Sequence, residues 1–147
     1  MGKTIYVING PNLNLLGTRE TNIYGNLKLS DIEIMTYNES QKHHFTLFFL
    51  QSNKEGEIVD WIQDASKEAK GIIINAAGYT HTSISIMDAL LACNIPVIEL
   101  HISNIHKRED FRKHSYISKA STGIICGFGP NGYIMAVNAM ANILNNG

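Results

Sequence analysis

Five short runs rich in Ile, Val and Leu, separated by helical patterns, constrain the fold of this 147-residue chain more than any other feature. The runs are apolar at nearly every position instead of alternating apolar and polar residues. Strands that are covered on both faces have this pattern, which is typical of parallel sheets in α/β proteins. The predicted strands are Thr4–Ile8, Phe45–Leu50, Gly71–Asn75, Pro96–Leu100 and Gly123–Cys126.

Four helices are predicted around these strands. The segments Ser30–Glu33 and Ser52–Glu55 both have the Ser-x-x-Glu spacing of a capping box, which predicts the starts of the first two helices. The third and fourth helices are predicted over about 82–93 and 132–144. Two apolar stripes at helical spacing predict the buried faces of the second and fourth helices. These stripes are Ile58, Ile62, Ala65 and Ala69, and Ile134, Val137, Ala141 and Leu144.

Strands that alternate with helices predict one α/β domain over residues 1–147. The expected architecture is a doubly wound five-stranded parallel sheet with the flavodoxin-like order 2-1-3-4-5. The connections after the first and fourth strands, at 9–29 and 101–121, are long and polar. Long connections are uncommon in compact α/β domains and are often functional.

Composition excludes several classes of protein. Twelve Lys and Arg against thirteen Asp and Glu give a net charge of −1, so no basic field predicts binding to nucleic acid or to an anionic membrane. Charged residues are 17% of the chain, below the usual quarter or so, which suggests that copies of the chain cover part of the surface. The N-terminal apolar run is too short for a signal peptide, and Cys93 and Cys126 lie in apolar runs. Both features predict a cytoplasmic protein with reduced, buried thiols.

Polar residues accumulate after the strands, where ligands bind in open α/β sheets. The set is rich in amides, hydroxyls, arginines and histidines, which suits a small, anionic, polyhydroxylated ligand and proton transfer without a cofactor. The residues are Asn9, Asn12, Asn14, Arg19, Tyr24, Gln51, Ser52, Asn53, Asn75, Tyr79, Thr80, His81, Thr82, Ser83, His101, Ser103, Asn104, Arg108 and Arg112.

Other site motifs are weak or absent in the sequence. No nucleophile elbow, Walker A loop or His-Glu-x-x-His segment occurs. A formal G-x-G-x-x-G spans Gly127–Gly132, but it follows the last strand, and no acidic residue stands among the 15 residues after it. Pro130 also removes a backbone donor from this loop. We therefore expect a tight turn that packs the last helix onto the sheet, and not a dinucleotide site.

Several ordered motifs resemble one known family. They include Ile8–Glu20 followed by Tyr24 and Gly25, then Asn75-Ala76 with Tyr79–Ser83, and Ile98–Asn104. This pattern resembles the type II 3-dehydroquinate dehydratases over nearly the whole chain. The resemblance implies a flavodoxin-like fold, no cofactor, a homododecamer, and loss of water from 3-dehydroquinate to give 3-dehydroshikimate through an enolate.

The resemblance also implies four catalytic residues. Tyr24 corresponds to the base that removes the C2 proton, and Arg19 would stabilise its anion. Lowering a tyrosine pKa by about 2 units takes roughly 2.7 kcal/mol of such stabilisation. Asn12 would hold a water or the enolate oxygen. His101 corresponds to the acid that protonates the departing hydroxyl, with Glu99 or a neighbouring amide orienting it.

Six further residues are implied to bind substrate. The backbone N–H groups of Ile102 and Ser103, with the amide of Asn75, would hold the carboxylate. The ring hydroxyls would be held by His81, Arg112 and Asp88, with Asp88 reaching in from an adjacent subunit. Arg108 stays outside this set as a possible lid or ion-pair residue.

The chain departs from the family pattern at Thr21, where Pro is common, and at Met87, where Arg is common. The first change predicts a looser loop, and the second affects subunit contacts. Two other functions stay open on the sequence: a nucleotide- or flavin-binding module, and an oligomeric scaffold without activity. The bulky Leu13, Leu15 and Leu16 count against a phosphate-binding loop, which needs close backbone approach.

Overall fold

The computed structural model describes residues 2–18, 22 and 25–146. Its centre is a parallel sheet with the strand order β2-β1-β3-β4-β5, which confirms the predicted α/β fold and topology. The strands are β1 (Thr4–Asn9), β2 (Thr46–Gln51), β3 (Gly71–Asn75), β4 (Val97–His101) and β5 (Gly123–Cys126).

The longer helices follow the predicted alternation with the strands. They are α1 (Leu29–Lys42), α2 (Glu55–Glu68), α3 (Ile84–Leu91) and α4 (Asn131–Asn146). The third helix is shorter than predicted because the Ser83 hydroxyl accepts a hydrogen bond from the backbone N–H of Ile86, which starts the helix at Ile84.

Both predicted capping boxes are wrong in detail. At the start of α1, the backbone N–H of Lys28 donates to the Asp31 carboxylate at 3.0 Å, so Ser30 lies inside the first turn. At the start of α2, the N-cap residue is Lys54. Ser52 lies two residues earlier, where its hydroxyl accepts from the Lys54 N–H and donates to Glu57. Asp31 thus stabilises the start of α1, and Ser52 the approach to α2, with partners other than those predicted.

Two hydrophobic clusters cover the two faces of the sheet. Successive strand residues point to opposite faces, so Ile5 and Val7 pack into one cluster with α1 and α4, while Tyr6 and Ile8 pack into the other with α2 and α3. This double coverage explains why the strands are apolar at nearly every position. The predicted stripe on α2 is buried.

The buried face of α4 matches the prediction at Val137 and Ala141 and differs from it elsewhere. Tyr133, Ala136 and Met140 are fully buried, whereas Ile134 and Leu144 are half-buried. The sheet covers a wide face of this helix, and the predicted stripe followed only one margin of that face. Tyr133 therefore points its hydroxyl into the protein interior.

The carboxyl ends of β1 and β3 are held together just beyond the sheet. The backbone N–H of Gly10 donates to the Asn75 carbonyl at 2.8 Å. A Cβ atom at Gly10 would stand 2.4 Å from the Ala76 carbonyl oxygen and 2.6 Å from its carbon. Only glycine permits this close approach of two loops that both lead to the polar edge.

Gly10→Ala should therefore destabilise the protein, because the added methyl group meets backbone atoms that cannot rotate away. Overpacking of this kind usually costs about 1–3 kcal/mol. Chemical denaturation of both proteins measures the loss. Gly56→Ala is the matched control, since an added Cβ meets nothing within 4 Å on the exposed face of α2. Equal stability of the Gly10→Ala variant and the parent protein would contradict the close approach.

Candidate active site

A cleft opens at the carboxyl edge of the sheet, above β1, β3 and β4. This position, at the carboxyl ends of parallel strands, is where ligands bind in open α/β sheets. One wall comes from the segment after β1, another from the turn after β3, and the third from the connection after β4. The lining residues are Pro11, Asn12, Leu13, Leu16, Asn75, Ala77, Gly78, His81, His101, Ile102, Ser103, Ile105, Arg108 and Arg112.

The cleft brings together seven of the ten residues that the sequence predicted for a site. These are Asn12, Asn75, His81, His101, Ile102, Ser103 and Arg112. Asp88 does not line it, because it lies exposed on α3. Its predicted role in the site of a neighbouring subunit stays a prediction. Arg19 and Tyr24, like Thr21, lie outside the described residues.

His101 ends β4 and is bound to a buried carboxylate. Its Nε2 lies 2.5 Å from Oε2 of Glu99, and the two residues are only 5% and 1% exposed. Burial alone would raise the pKa of the Glu99 carboxyl, but hydrogen bonds from His101 and Ser118 outweigh burial and hold that pKa below its usual value. Anionic Glu99 therefore accepts the Nε2 proton, which leaves Nδ1 as the ring nitrogen that can exchange a proton with a bound molecule.

His81 is the second histidine of the cleft. Its ring stacks on that of His101, with the centroids 6.5 Å apart, and its Nδ1 donates to the His114 carbonyl at 2.7 Å. Burial lowers the pKa of His81, and the nearby charges of His101 and Arg112 act in the same direction, while the bond to His114 opposes them. A neutral His81 with a proton on Nδ1 presents Nε2 as an acceptor, which suits a ligand hydroxyl.

A buried hydrogen-bonded chain fixes the Asn75 amide. Tyr133 donates its hydroxyl to Oδ1 of Asn9 at 2.7 Å and accepts from Nδ2 of Asn75 at 3.1 Å. The Ala77 backbone N–H donates to the Asn75 side-chain oxygen. Burial raises the pKa of Tyr133 above its usual value, so the phenol stays neutral in this chain. The amide is thus oriented with Nδ2 toward Tyr133 and Oδ1 toward the Ala77 N–H, and the second hydrogen on Nδ2 remains available to a ligand.

Asn12 has the left-handed backbone conformation, with φ of +69°. Its backbone N–H donates to the side chain of Asn53 at 3.0 Å, and Gln51 donates to the same Asn53 oxygen at 3.1 Å. The carbonyl of Asn53 in turn accepts from the Tyr79 hydroxyl. This cluster holds the start of the long connection after β1, which leads from the cleft-lining Leu16 toward Arg19 and Tyr24.

Comparison with known proteins decides the family. The family model described as dehydroquinase class II matches residues 3–141, which include every residue of the cleft. The chain belongs to the class II dehydroquinase family.

Individual members of the class II dehydroquinase family are similar to this chain along nearly the whole of both sequences. A 3-dehydroquinate dehydratase of Acidovorax ebreus (strain TPSY) is 49% identical over 146 residues, covering 96% of this chain and 99% of that protein. A 3-dehydroquinate dehydratase of Rhizobium etli (strain CIAT 652) is 52% identical over 143 residues, covering 97% of this chain and 99% of that protein. The crystal structure of type II dehydroquinase from Butyrivibrio crossotus DSM 2876 superposes with a TM-score of 0.92 at 44% identity, covering 95% of this chain and 97% of that one.

Part of the cleft wall lies outside the ten residues predicted for the site, and it includes Arg108, which the sequence placed apart from them as a lid or ion-pair residue. Arg108 lines the cleft and lies 3.7 Å from Glu109, so it belongs to the site as well as to an ion pair. Pro11, Leu13 and Leu16 line the opposite side. Its position could have indicated this, because Arg108 follows His101 by seven residues and lies in the same connection as Arg112, which was predicted for the site.

The glycine-rich segment is confirmed as a turn that packs the last helix onto the sheet. A Cβ at Gly132 would stand 2.9 Å from Leu100, so this glycine lets α4 approach the sheet closely. Backbone N–H groups of Gly127 and Gly129 donate to the carbonyls of His101 and Ile102. The turn therefore also supports the end of β4, where the cleft lies.

Two structural absences apply to the described residues only. Among residues 2–18, 22 and 25–146, no group of three or more His, Cys, Asp or Glu side chains is arranged to hold a metal ion. In that same part of the chain, no helix has the length and apolar character that a membrane span needs.

Proposed function

We propose that this chain is a type II 3-dehydroquinate dehydratase, a hydro-lyase of the shikimate pathway that needs no cofactor. It eliminates water from 3-dehydroquinate to give 3-dehydroshikimate. The observation that carries the proposal is the buried His101–Glu99 pair at the wall of a polar cleft, in a chain of the class II dehydroquinase family.

The reaction requires removal of a proton beside a ketone and then loss of a hydroxyl group. We assign the first step to Tyr24 as the base, with Arg19 stabilising its anion. Asn12 stabilises the enolate oxygen directly or through a water. In the second step, the enolate returns to the ketone and its electron pair forms the carbon–carbon double bond as the C–O bond breaks, while His101 delivers a proton from Nδ1 so that the hydroxyl leaves as water.

Support for the assignments of Tyr24 and Arg19 comes from their neighbours in the chain. Arg19 follows the cleft-lining Leu16 by three residues, a stretch that spans at most about 11 Å. Tyr24 follows Arg19 by five residues. A base from this connection would act across the cleft from His101, which fits an acid and a base on two sides of one substrate.

The rest of the cleft suits the other groups of 3-dehydroquinate. We assign the substrate carboxylate to the backbone N–H groups of Ile102 and Ser103 and to the amide of Asn75. The ring hydroxyls are assigned to His81, through its acceptor Nε2, and to Arg112. The cation of Arg112 also raises the local concentration of an anionic substrate.

A homo-oligomer, and specifically a homododecamer, is part of the proposal. Large apolar side chains stay exposed on the single chain, among them Ile34, Phe111 and Phe128, each at least 60% exposed. Aromatic and aliphatic side chains of this kind are available to pack in an interface between subunits. Asp88 would then complete a neighbour's site. Light scattering should give a mass near twelve subunits, and a fully active monomer would contradict the role of Asp88.

We also propose a cytoplasmic location. Cys93 and Cys126 are both free, which suits a reducing compartment. They are half-buried, and not buried as the sequence suggested: Cys93 lies just beyond α3, and Cys126 lies on the edge strand β5. Cell fractionation followed by detection of the protein tests the location.

A spectrophotometric assay with 3-dehydroquinate tests the function. The product has a carbon–carbon double bond conjugated with its ketone and absorbs in the ultraviolet, whereas the substrate lacks this conjugation. We expect absorbance to rise with time in proportion to protein concentration, without added metal or nucleotide. Heat-denatured protein is the control. A protein that is folded and assembled but produces no absorbance change would contradict the proposed function.

A further inference from the structure

Glu99 is almost fully buried, yet its carboxylate has three hydrogen-bond donors. Its Oε2 accepts from His101 at 2.5 Å and from the Ser115 hydroxyl at 2.8 Å, and its Oε1 accepts from the Ser118 hydroxyl at 2.5 Å. An ionised carboxylate can only accept, so both serines donate to it. Without such donors, a carboxylate at 1% exposure would be driven toward its neutral form.

The two serines are fixed by the backbone around them. The Tyr116 N–H donates to the Thr80 carbonyl, and the Ser118 N–H donates to the Ser115 hydroxyl. Ile117, between them, is fully buried. The segment 115–118 is therefore docked against the sheet, and both hydroxyls are held at the carboxylate with little freedom to turn away.

The same part of the chain also sets the proton position on the other histidine of the cleft. His114 precedes Ser115 directly, and its carbonyl accepts the Nδ1 proton of His81. The continuous segment 114–118 therefore bonds to His81 directly, through the His114 carbonyl, and to His101 indirectly, through Glu99. Neither serine lines the cleft, so any effect on a bound molecule acts through Glu99.

We propose that Ser118, assisted by Ser115, is a positioning residue that keeps Glu99 anionic and so decides which nitrogen of His101 exchanges a proton with substrate. With anionic Glu99 holding the Nε2 proton, the imidazolium can release its other proton from Nδ1. If Glu99 instead kept that proton, its O–H would donate a hydrogen bond to an unprotonated Nε2, and the imidazole would carry only its Nδ1 proton and be neutral. A neutral imidazole is a far weaker acid than an imidazolium, so loss of the leaving hydroxyl would slow.

This inference rests on the proposed dehydration for its kinetic part. Ser118→Ala should lower kcat about ten- to hundredfold, the usual effect of losing one hydrogen bond to a charged group, while KM changes less than twofold. Because the change moves one proton between the two groups of the pair without net uptake, the loss of kcat should appear across the whole pH profile and not on one side only. The other titratable or charged groups at the cleft, His81, Arg108 and Arg112, are unchanged in this variant.

The matched control is Ser121→Ala. Ser118 lies in a short helical turn, Ile117–Ala120, and Ser121 follows that turn directly. The Ser121 hydroxyl donates to the Ile117 carbonyl at 2.8 Å, away from Glu99. It should keep the parent kcat and pH profile. Equal kcat values for the Ser118→Ala and Ser121→Ala variants would overturn the proposal, as would a loss that appears in KM alone.

A double-mutant comparison separates positioning from general damage. In a Glu99→Gln background, Ser118→Ala should cause little further loss of kcat, because the carboxylate on which Ser118 acts is already gone. An undiminished further loss would show that Ser118 acts by another route. Should Ser118→Ala fail to fold, Ser115→Ala removes the donor on the other oxygen, and a smaller loss of the same kind is expected.

A spectroscopic measurement does not depend on turnover. The ¹⁵N chemical shifts of the His101 ring in labelled, resting protein report which nitrogen carries the proton. We expect them to change in the Ser118→Ala variant and not in Ser121→Ala. Unchanged shifts in both would overturn the proposal even if the protein dehydrates 3-dehydroquinate. Changed shifts in a protein without that activity would support the proton positioning and contradict only the proposed function.

Discussion

Replacing Tyr24 by phenylalanine should lower kcat by about 10²–10⁴-fold, or about 3–5 kcal/mol of barrier. Phenylalanine keeps the aromatic ring but has no oxygen to take the C2 proton. Because the substitution removes a single oxygen atom, KM and thermal stability should change little. Initial rates over a range of 3-dehydroquinate concentrations separate the two constants.

Tyr37→Phe is the matched control for Tyr24→Phe. Tyr37 lies on α1, away from the cleft, and is 52% exposed, so the loss of its hydroxyl should leave kcat unchanged. If Tyr24→Phe retained more than about a tenth of the parent kcat, a loss under ~1.4 kcal/mol, Tyr24 could not be the base. Another group at the cleft would then have to remove the proton.

Removing the His101 imidazole should also lower kcat by about 10²–10⁴-fold, because the proton donor at the leaving hydroxyl is lost. His101→Ala has a second effect, since buried Glu99 loses one of its three donors. Losing one hydrogen bond to a buried charged group costs about 1.5–3 kcal/mol, so this variant should also unfold more easily. Denaturation and steady-state kinetics measure the two effects separately.

His101→Gln distinguishes the chemical effect from the structural one. A glutamine amide can place its Nε2 where the imidazole Nε2 stood, so it keeps an N–H donor at Glu99 but cannot deliver a proton as an imidazolium does. We expect it to be as inactive as His101→Ala and more stable. His106→Ala changes an exposed histidine in the same connection and should be fully active. A His101→Gln variant with near-normal kcat would exclude His101 as the acid.

The sheet could be predicted from the sequence because strands that are buried on both faces are apolar at nearly every position. Core residues such as Ile5, Val7 and Ile73 are apolar whichever face they point to. The strand ends were less accurate: β1, β2 and β4 each continue by one polar residue, Asn9, Gln51 and His101. Ladder hydrogen bonds come from the backbone, so a polar side chain does not end a strand.

Much of the cleft could also be predicted, for a topological reason. Residues that follow parallel strands meet at one edge, so His81 and His101 become neighbours although they are 20 residues apart in the chain. The rule does not say which polar residue faces a ligand. Asn9 belongs to the same predicted polar set, but it is fully buried and accepts a hydrogen bond from Tyr133.

The residues that hold the cleft side chains in place from behind could not be predicted from the sequence. Ser115 and Ser118 lie 16 and 19 residues after Glu99, in a connection without helical or strand periodicity. Their partner is set by how that connection folds back on β4. Asn53 likewise holds Asn12 across 41 residues. Contacts of this kind depend on tertiary structure, and neither propensity nor spacing predicts them.

The central claim is that elimination proceeds through protein acid and base groups, without a covalent bond to substrate. No lysine lines the cleft among the described residues, and none belongs to the motifs that resemble the family. The most direct test treats the protein with borohydride while it turns over 3-dehydroquinate, and then measures its intact mass and remaining activity. We predict continued product formation, an unchanged mass and full activity. A stable adduct on any lysine, with loss of activity, would contradict the account.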